Sequence, residues 1–472
     1  MRHQLHIGGQ WRDGSAGTFA VHDPSTGQVV TDFANASTED CLAAVDAAAA
    51  AFDSWAATAP RVRGELLRAT FELLTHERDE LADLIVRENG KAWPDAVGEA
   101  SYAIEFFRWF SEEAVRVRGD FRLAPAGDKH ILVDAKPIGV SVLITPWNFP
   151  AAMATRKIAP ALAAGCTVVL KPAGETPLTA AYIVDAMVRA GLPDGVVNLV
   201  TPSDVGPAVS AMLHHPAVRK LSFTGSTEVG RILLRESADH VLSASMELGG
   251  NAPFLVLPGA DLEQAVAGAM VAKMRNGGSA CTAANRFYVH RSLHDDFAAR
   301  LAEEMGAMPM GPGVDHDNRL GALVSLAERD KVARLVEQGI TEGARVELGG
   351  EPSAVGAFYP ATVLTGVEHG GTLTSTEVFG PVAPIVVFDE VAEAVRMAND
   401  TIFGLIAYVY GEPGAALRIA RRIDAGMVGV NRALVSDPAA PFGGMKQSGL
   451  GREGAEEGVR EFLEEQYLAI EL

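Results

Sequence analysis

From Lys136 to Gly249 the chain alternates short β-rich runs with helical stretches, and this alternation restricts the fold more than any other feature of its 472 residues. Val140 to Ile144, Thr167 to Leu170, Val196 to Val200 and Lys220 to Phe223 read as strands. Ala151 to Ala164, Leu178 to Ala190, Val205 to Leu213 and the stretch after Gly225 read as the helices between them. Such a series predicts a mostly parallel sheet with right-handed crossovers and a nucleotide crevice at the carboxyl ends of the strands. A second series, from Ala252 to about Val430, has strands at Pro253 to Val256, Arg286 to Val289, Val382 to Phe388 and Ile406 to Val409, and predicts a second α/β domain.

Upstream of both, Ser37 to about Val117 carries apolar residues at helical spacing, as at Leu66, Leu67, Phe71 and Leu74. Three long helices are expected there, with Ser37 as a cap and Asp40 three residues on, Gly90 ending the second and Pro94 starting the third. Asp120 to Asp134 and Phe462 to Leu472 alternate apolar and polar residues but belong to neither series. They are expected to pair as a sheet that joins subunits.

A net charge of −20 argues against general affinity for nucleic acid or an anionic membrane, since both need a clustered positive field. Cys41, Cys166 and Cys281 make neither a paired framework nor a CxxC, so no disulfide scaffold or structural zinc is supported and a reducing cytoplasm fits best. The opening Met1-Arg2-His3-Gln4-Leu5-His6 lacks the apolar run of a secretory signal, so no targeting peptide is expected. Arg156, Lys157 and Pro160 interrupt the apolar tract from Ala151 to Leu170 and argue against a membrane span.

Cys281 closes the run Arg275-Asn276-Gly277-Gly278-Ser279-Ala280-Cys281, where small neighbours leave its sulfur approachable. With Glu247, in Met246-Glu247-Leu248-Gly249-Gly250, it reads as a nucleophile and its base; a buried structural cysteine is the other reading. Asn148, in Ile144-Thr145-Pro146-Trp147-Asn148-Phe149-Pro150, follows a strand and either serves an oxyanion as a neutral donor or simply turns the chain. Lys171-Pro172-Ala173-Gly174-Glu175 emerges from the next strand and suits phosphate or ribose, unless the lysine is only solvated. Gly225-Ser226-Thr227-Glu228-Val229-Gly230 opens a helix whose amides and dipole suit a pyrophosphate. The match Gly449-Leu450-Gly451-Arg452-Glu453-Gly454 to GxGxxG lacks the preceding strand and the downstream strand that a dinucleotide fingerprint needs, and reads as a glycine-rich connection.

Seven segments, in order, resemble the NAD(P)-dependent aldehyde dehydrogenase superfamily: Pro146 to Pro150, Leu170 to Ala173, Phe223 to Ser226, Glu247 to Gly250, Cys281, Glu377 to Pro381 in Glu377-Val378-Phe379-Gly380-Pro381, and Pro441 to Gly444. The resemblance covers nearly the whole chain. It implies two Rossmann-like α/β domains and a small β oligomerisation extension. The division would be residues 1–117 and 138–247 for NAD(P) binding, 248–445 for catalysis, and 118–137 with 446–472 for oligomerisation into a homodimer or homotetramer. It also implies that Cys281 attacks the aldehyde carbon, that the Asn148 side chain and the Cys281 N–H hold the oxyanion, and that Glu247 activates water against the thioester. Lys171 would face the adenosine ribose, Ser226 the pyrophosphate, Glu377 the nicotinamide ribose and Phe379 the nicotinamide. Thr145, Pro146, Trp147, Ala173, Gly174, Glu175, Gly225, Leu248 and Gly249 would complete the cofactor site. The run Gly278-Ser279-Ala280 departs from the family's usual Gly-Gln-Thr before the nucleophile, and Ala283 replaces a second cysteine that some relatives carry, so no local disulfide switch is expected.

Within the family the chain is most similar to succinate-semialdehyde dehydrogenases. Arg156, Arg275 and Ser436 match positions that contact the far carboxylate of that substrate, for which paired guanidinium donors are well suited. Succinate semialdehyde is therefore the first expectation. Glutarate semialdehyde or a broad aldehyde range is the alternative, because arginines mark an acid end without fixing chain length. A CoA-acylating enzyme is disfavoured by Glu247, and a non-catalytic scaffold by Glu247 with Cys281. NAD-preferring relatives often carry glutamate where this chain has Gly174, so NADP is expected to be accepted and preferred, with Glu175 tempering the preference.

Overall fold

The computed structural model describes residues 2–471; Met1 and Leu472, which begin and end two of the segments considered above, lie outside them. The N-terminal helical region holds four helices rather than three: Thr38–Ala56, Pro60–His76, Arg78–Asn89 and Trp93–Glu113. Ser37 and Asp40 exchange side-chain and backbone hydrogen bonds at the first N-terminus, a complete capping box. The extra break falls at Glu77, where no glycine or proline signals it. There the backbone leaves helical geometry and the carboxylate takes both Arg189 donors, at 2.6 and 2.7 Å, and the Tyr182 hydroxyl. A tertiary pairing has overridden local propensity. Gly90 ends the third helix and Pro94 opens the fourth.

The first sheet has eight strands in the order Gly449–Leu450, Ser243–Glu247, Val218–Thr224, Val140–Ile144, Thr167–Lys171, Val197–Leu199, Leu5–Ile7 and Gln10–Arg12. Its five central strands are parallel, as the alternation requires, and the three remaining strands pair antiparallel at the edges. Strand order reverses between Val140–Ile144 and Val218–Thr224, so the crevice of a doubly wound sheet opens there. The second sheet runs Arg345–Leu348, Thr362–Thr365, Val382–Phe388, Ala284–His290, Ala252–Val256, Ile406–Tyr410 and Met427–Val430, all parallel but the first. Leu463–Ile470, His130–Pro137 and Asp120–Leu123 form a separate antiparallel sheet, so the two leftover segments do pair with each other.

The 446–472 segment is not all part of that extension. Gly449–Leu450 joins the first sheet beside Met246 and Glu247, and Ala455–Arg460 is helical; only Leu463–Ile470 belongs to the small sheet. The glycine-rich motif is thus a strand edge as well as a connection. A Cβ on Gly449 would stand 2.2 Å from the Met246 carbonyl oxygen, so close backbone approach accounts for the residue without any phosphate.

All fifteen residues of the Pro150–Ala164 helix are buried, Arg156 and Lys157 included. A helix buried on every side sits inside a core, and the apolar side chains Ile158 and Leu162 each contribute roughly 1.5–3 kcal/mol by burial. The Asn148 turn is anchored to this rigid element. Among the described residues no helix is long and apolar enough to cross a membrane.

Candidate active site

The two sheets present opposite ends to one cleft. The first offers the carboxyl ends of its strands, followed by Thr145 to Asn148, Gly225-Ser226 and Leu248-Gly249. The second offers amino ends, with Cys281 just before Ala284–His290 and Glu377 just before Val382–Phe388. A cavity of about 190 Å³ lies between them, and Pro146, Trp147 and Asn148 meet Gly225 and Ser226 across it. Leu248, Gly249, Cys281, Glu377 and Phe379 complete its wall, together with Met153, Thr224, Glu328 and Lys331, which sequence reasoning missed.

The nucleophile loop is tightly constrained. Gly278 has φ +77°, and a Cβ there would come within 2.1 Å of the Gly380 carbonyl oxygen. Asn276 donates from Nδ2 to the Asn148 and Ser279 carbonyls at 2.8 Å each, and Ser279 Oγ donates to the Phe379 carbonyl at 3.3 Å. The serine in the unusual Gly278-Ser279-Ala280 run therefore ties the loop to the Phe379 segment. Trp147 and Phe379 meet edge to face at 5.4 Å. Asn148, 4% exposed, donates one N–H to the Ser279 carbonyl at 3.2 Å, so its amide already lies over the loop that carries Cys281.

Cys281 is partly exposed in the cleft. Burial pushes its thiol up to about 12; Arg156 opposes this, and Glu377 and Glu247 add to it. A thiol shifted this far upward needs a base if it is to react as a thiolate. Glu247 is buried and neither carboxyl oxygen has a partner. Burial first, then the neighbouring Glu453, hold its pKa well above the ordinary glutamate value, which makes it a stronger proton acceptor than an exposed glutamate.

Glu453 lies inside the glycine motif set aside above. Burial would raise its pKa, but Lys157 and Arg156, both bonded to its carboxylate, hold it low. Arg156 gives Nε to Glu453 and lies 3.8 Å over the Phe442 ring, leaving Nη2 buried without a partner. Arg275 makes no salt bridge among the described residues; its guanidinium lies 5.1 Å over Phe149 and 6.0 Å over Tyr102. Ser436 shares a small recess with Arg275, Thr282 and Tyr408. The Tyr102 hydroxyl, also missed in the sequence, is buried without a partner; burial raises its pKa, and Arg156 and Arg275 oppose this.

Two of the cofactor candidates lie apart from the cleft. Gly174 and Glu175 line a separate cavity of about 860 Å³ with Glu88 and Ser203. Ala173 is partly exposed beside them. Lys171 folds onto the Pro172 carbonyl at 2.7 Å, and burial, opposed by Glu175, pushes its pKa down to about 8. Thr145 and Thr224 have buried hydroxyls without partners, Thr224 in the cleft wall, so the site holds unused donors that a dinucleotide's polar groups can meet. Ser226 caps the Thr227–Asp239 helix through Val229 N–H. Glu377 accepts from Gly250 N–H at 3.1 Å; burial raises its pKa to about 7. Behind it Lys273 is fully buried and unpartnered, and burial pushes it down to about 7 with Glu377 opposing. Among the described residues no three or more His, Cys, Asp or Glu side chains are grouped to hold a metal ion.

The aldehyde dehydrogenase family model matches residues 11–468. The chain belongs to this family. A succinate-semialdehyde dehydrogenase of Paenarthrobacter nicotinovorans is 49% identical over 444 residues, 94% of this chain and 99% of that one. A glutarate-semialdehyde dehydrogenase of Pseudomonas putida is 44% identical over 471 residues, covering 99% and 98%. The crystal structure of an E. coli NADP-dependent enzyme superimposes with a TM-score of 0.98 at 42% identity, covering 100% and 98%. As an aldehyde dehydrogenase the chain is an NAD(P)-dependent oxidoreductase with two α/β units and the family's β extension.

Proposed function

We propose that the protein oxidises succinate semialdehyde to succinate with NADP as the preferred acceptor and NAD as the second. The observation that carries the substrate reading is Arg275: a guanidinium without a salt bridge among the described residues, sharing a recess with Ser436 and lying 6.0 Å over the Tyr102 ring. A cation without a salt bridge among the described residues suits a carboxylate brought by the substrate. The name of the Paenarthrobacter relative supports the four-carbon acid, that of the Pseudomonas relative keeps glutarate semialdehyde as the second reading, and the E. coli structure supports NADP.

In this reading Glu247 takes the Cys281 proton and passes it to solvent, the sulfur adds to the aldehyde carbon, and Asn148 donates its second N–H to the oxyanion beside the Cys281 N–H. The bound dinucleotide supplies the hydride acceptor. The Thr145, Thr224 and Ser226 side chains and Glu377 would hold its polar groups. Glu247 then removes a proton from water as it adds to the Cys281 thioester, and the carboxylate leaves with return of the thiol. Arg275, Arg156 Nη2, Ser436 and Tyr102 orient the acid end throughout.

Reduced-cofactor absorbance across C2 to C6 aldehydes, with and without a terminal carboxylate and with both cofactors, tests the proposal. The highest kcat/KM belongs to succinate semialdehyde with NADP, and Arg275→Ala raises KM for it far more than for propanal. Equal effects on the two aldehydes would sink the assignment of Arg275. We also propose a cytoplasmic homodimer or homotetramer, supported by Phe121, Leu123 and Tyr467 standing exposed on the small sheet.

A further inference from the structure

The helix Trp93–Glu113 and the residues before it carry charges that the chemistry above does not use. Lys91 precedes the helix, and Asp95 and Glu99 follow at successive spacings of four, so they share one side. Lys91 and Glu99 are buried, 2% and 1% exposed, and form an ion pair. Lys91 Nζ also donates to the Asn148 carbonyl at 3.0 Å and lies 4.2 Å over the Phe149 ring. The other oxygen of Glu99 accepts from Ala151 N–H at 2.8 Å and Ala152 N–H at 3.3 Å. The pair therefore grips the main chain on both sides of Pro150. Asp95 accepts from Asn276 N–H at 3.0 Å, and Asn276 donates in turn to the Asn148 and Ser279 carbonyls. One carbonyl, that of Asn148, receives a donor from each side of the cleft.

Stability alone does not account for this arrangement. A buried ion pair is often no better than an apolar pair of the same size, and the Pro150–Ala164 helix has no side-chain cap from its own N-cap residue. Its first N–H groups are satisfied instead by a carboxylate from another helix, and that same carboxylate fixes the ammonium on Asn148. We propose that Lys91, Glu99 and Asp95 are positioning residues that hold the Asn148 amide in register with the loop bearing Cys281. The proposal rests on Asn148 serving the oxyanion.

The test is a double-mutant cycle. Lys91→Met with Glu99→Gln removes both charges together and keeps an acceptor for Ala151 and Ala152. With circular dichroism and cofactor affinity unchanged, kcat falls roughly tenfold to a hundredfold, the range that small misplacement costs, while aldehyde KM stays within about twofold. In an Asn148→Ala background the same pair of substitutions changes kcat by less than about twofold, because the group being positioned is gone. Asp95→Ala, at a partly buried position, follows the same pattern and serves if the first variant does not fold. An undiminished kcat, or an equal loss in both backgrounds, overturns the proposal. Absence of aldehyde oxidation in the wild-type protein overturns the functional reading instead, so the two failures are distinct.

Discussion

At the scale of single residues, the site turns on two carboxylates and two cations that share one buried environment. Glu247 is held above its usual pKa by burial and by Glu453, while Lys157 and Arg156 act in the opposite sense. A base with a raised pKa accepts protons only as the pH climbs through that value, so activity should rise with pH through a limb that belongs to the coupled groups. Glu453→Gln deletes the repelling charge and leaves the two cations, which lowers the Glu247 pKa. The acid limb of kcat/KM accordingly moves to lower pH; a limb that stays or moves up means that Glu247 does not set it. Glu247→Gln has a different signature. It removes the group that takes the Cys281 proton as well as the one that activates water, so rapid mixing shows no burst of reduced cofactor and turnover slower by about a hundredfold or more. A retained burst of up to one equivalent per site would show that Glu247 serves hydrolysis alone.

At the scale of elements, the loop from Asn276 to Cys281 is the least forgiving segment. Gly278 combines a left-handed backbone with a carbonyl where a Cβ would go. Gly278→Ala is expected to lower stability by about 1–3 kcal/mol from backbone strain, more if Gly380 cannot shift, and to reduce kcat sharply as the loop moves. Thermal melting with an activity assay checks both; an unchanged Tm and kcat would mean that the loop is softer than its contacts indicate. The sequence made this loop and the parallel strands legible because glycine runs and alternating periodicity are local signals. The Glu77 break was not legible, since Glu77 and Arg78 are compatible with helix and only Arg189 and Tyr182, far along the chain, draw the carboxylate away. Glu453 was hidden for the opposite reason: its motif lacked the strand that phosphate binding needs, and the close pairing of Gly449 with Glu247 is a tertiary fact. Lys91, Asp95 and Glu99 were equally invisible, because charges on a helix read as a solvated face until a packed neighbour shows otherwise.

At the scale of the whole molecule, the small sheet has an unfinished surface. Phe121 and Leu123 are each 56% exposed and Tyr467 is 53% exposed, on strands that pair with His130–Pro137 from both sides. Three strands expose two edges and apolar side chains, and a lone protomer leaves both edges and patch in water. Phe121 and Leu123 are also two apart, on one face of their strand, so a partner covering that face buries both. Burying such side chains contributes roughly 1.5–3 kcal/mol apiece, so losing two and adding two charges in the contact outweighs the margin of an ordinary interface. Phe121→Asp with Leu123→Asp is therefore expected to lower the mass measured by light scattering to that of a smaller assembly. Both residues lie outside the cleft, so cofactor affinity per protomer stays near its wild-type value. An unchanged mass would put the subunit contact elsewhere on the molecule.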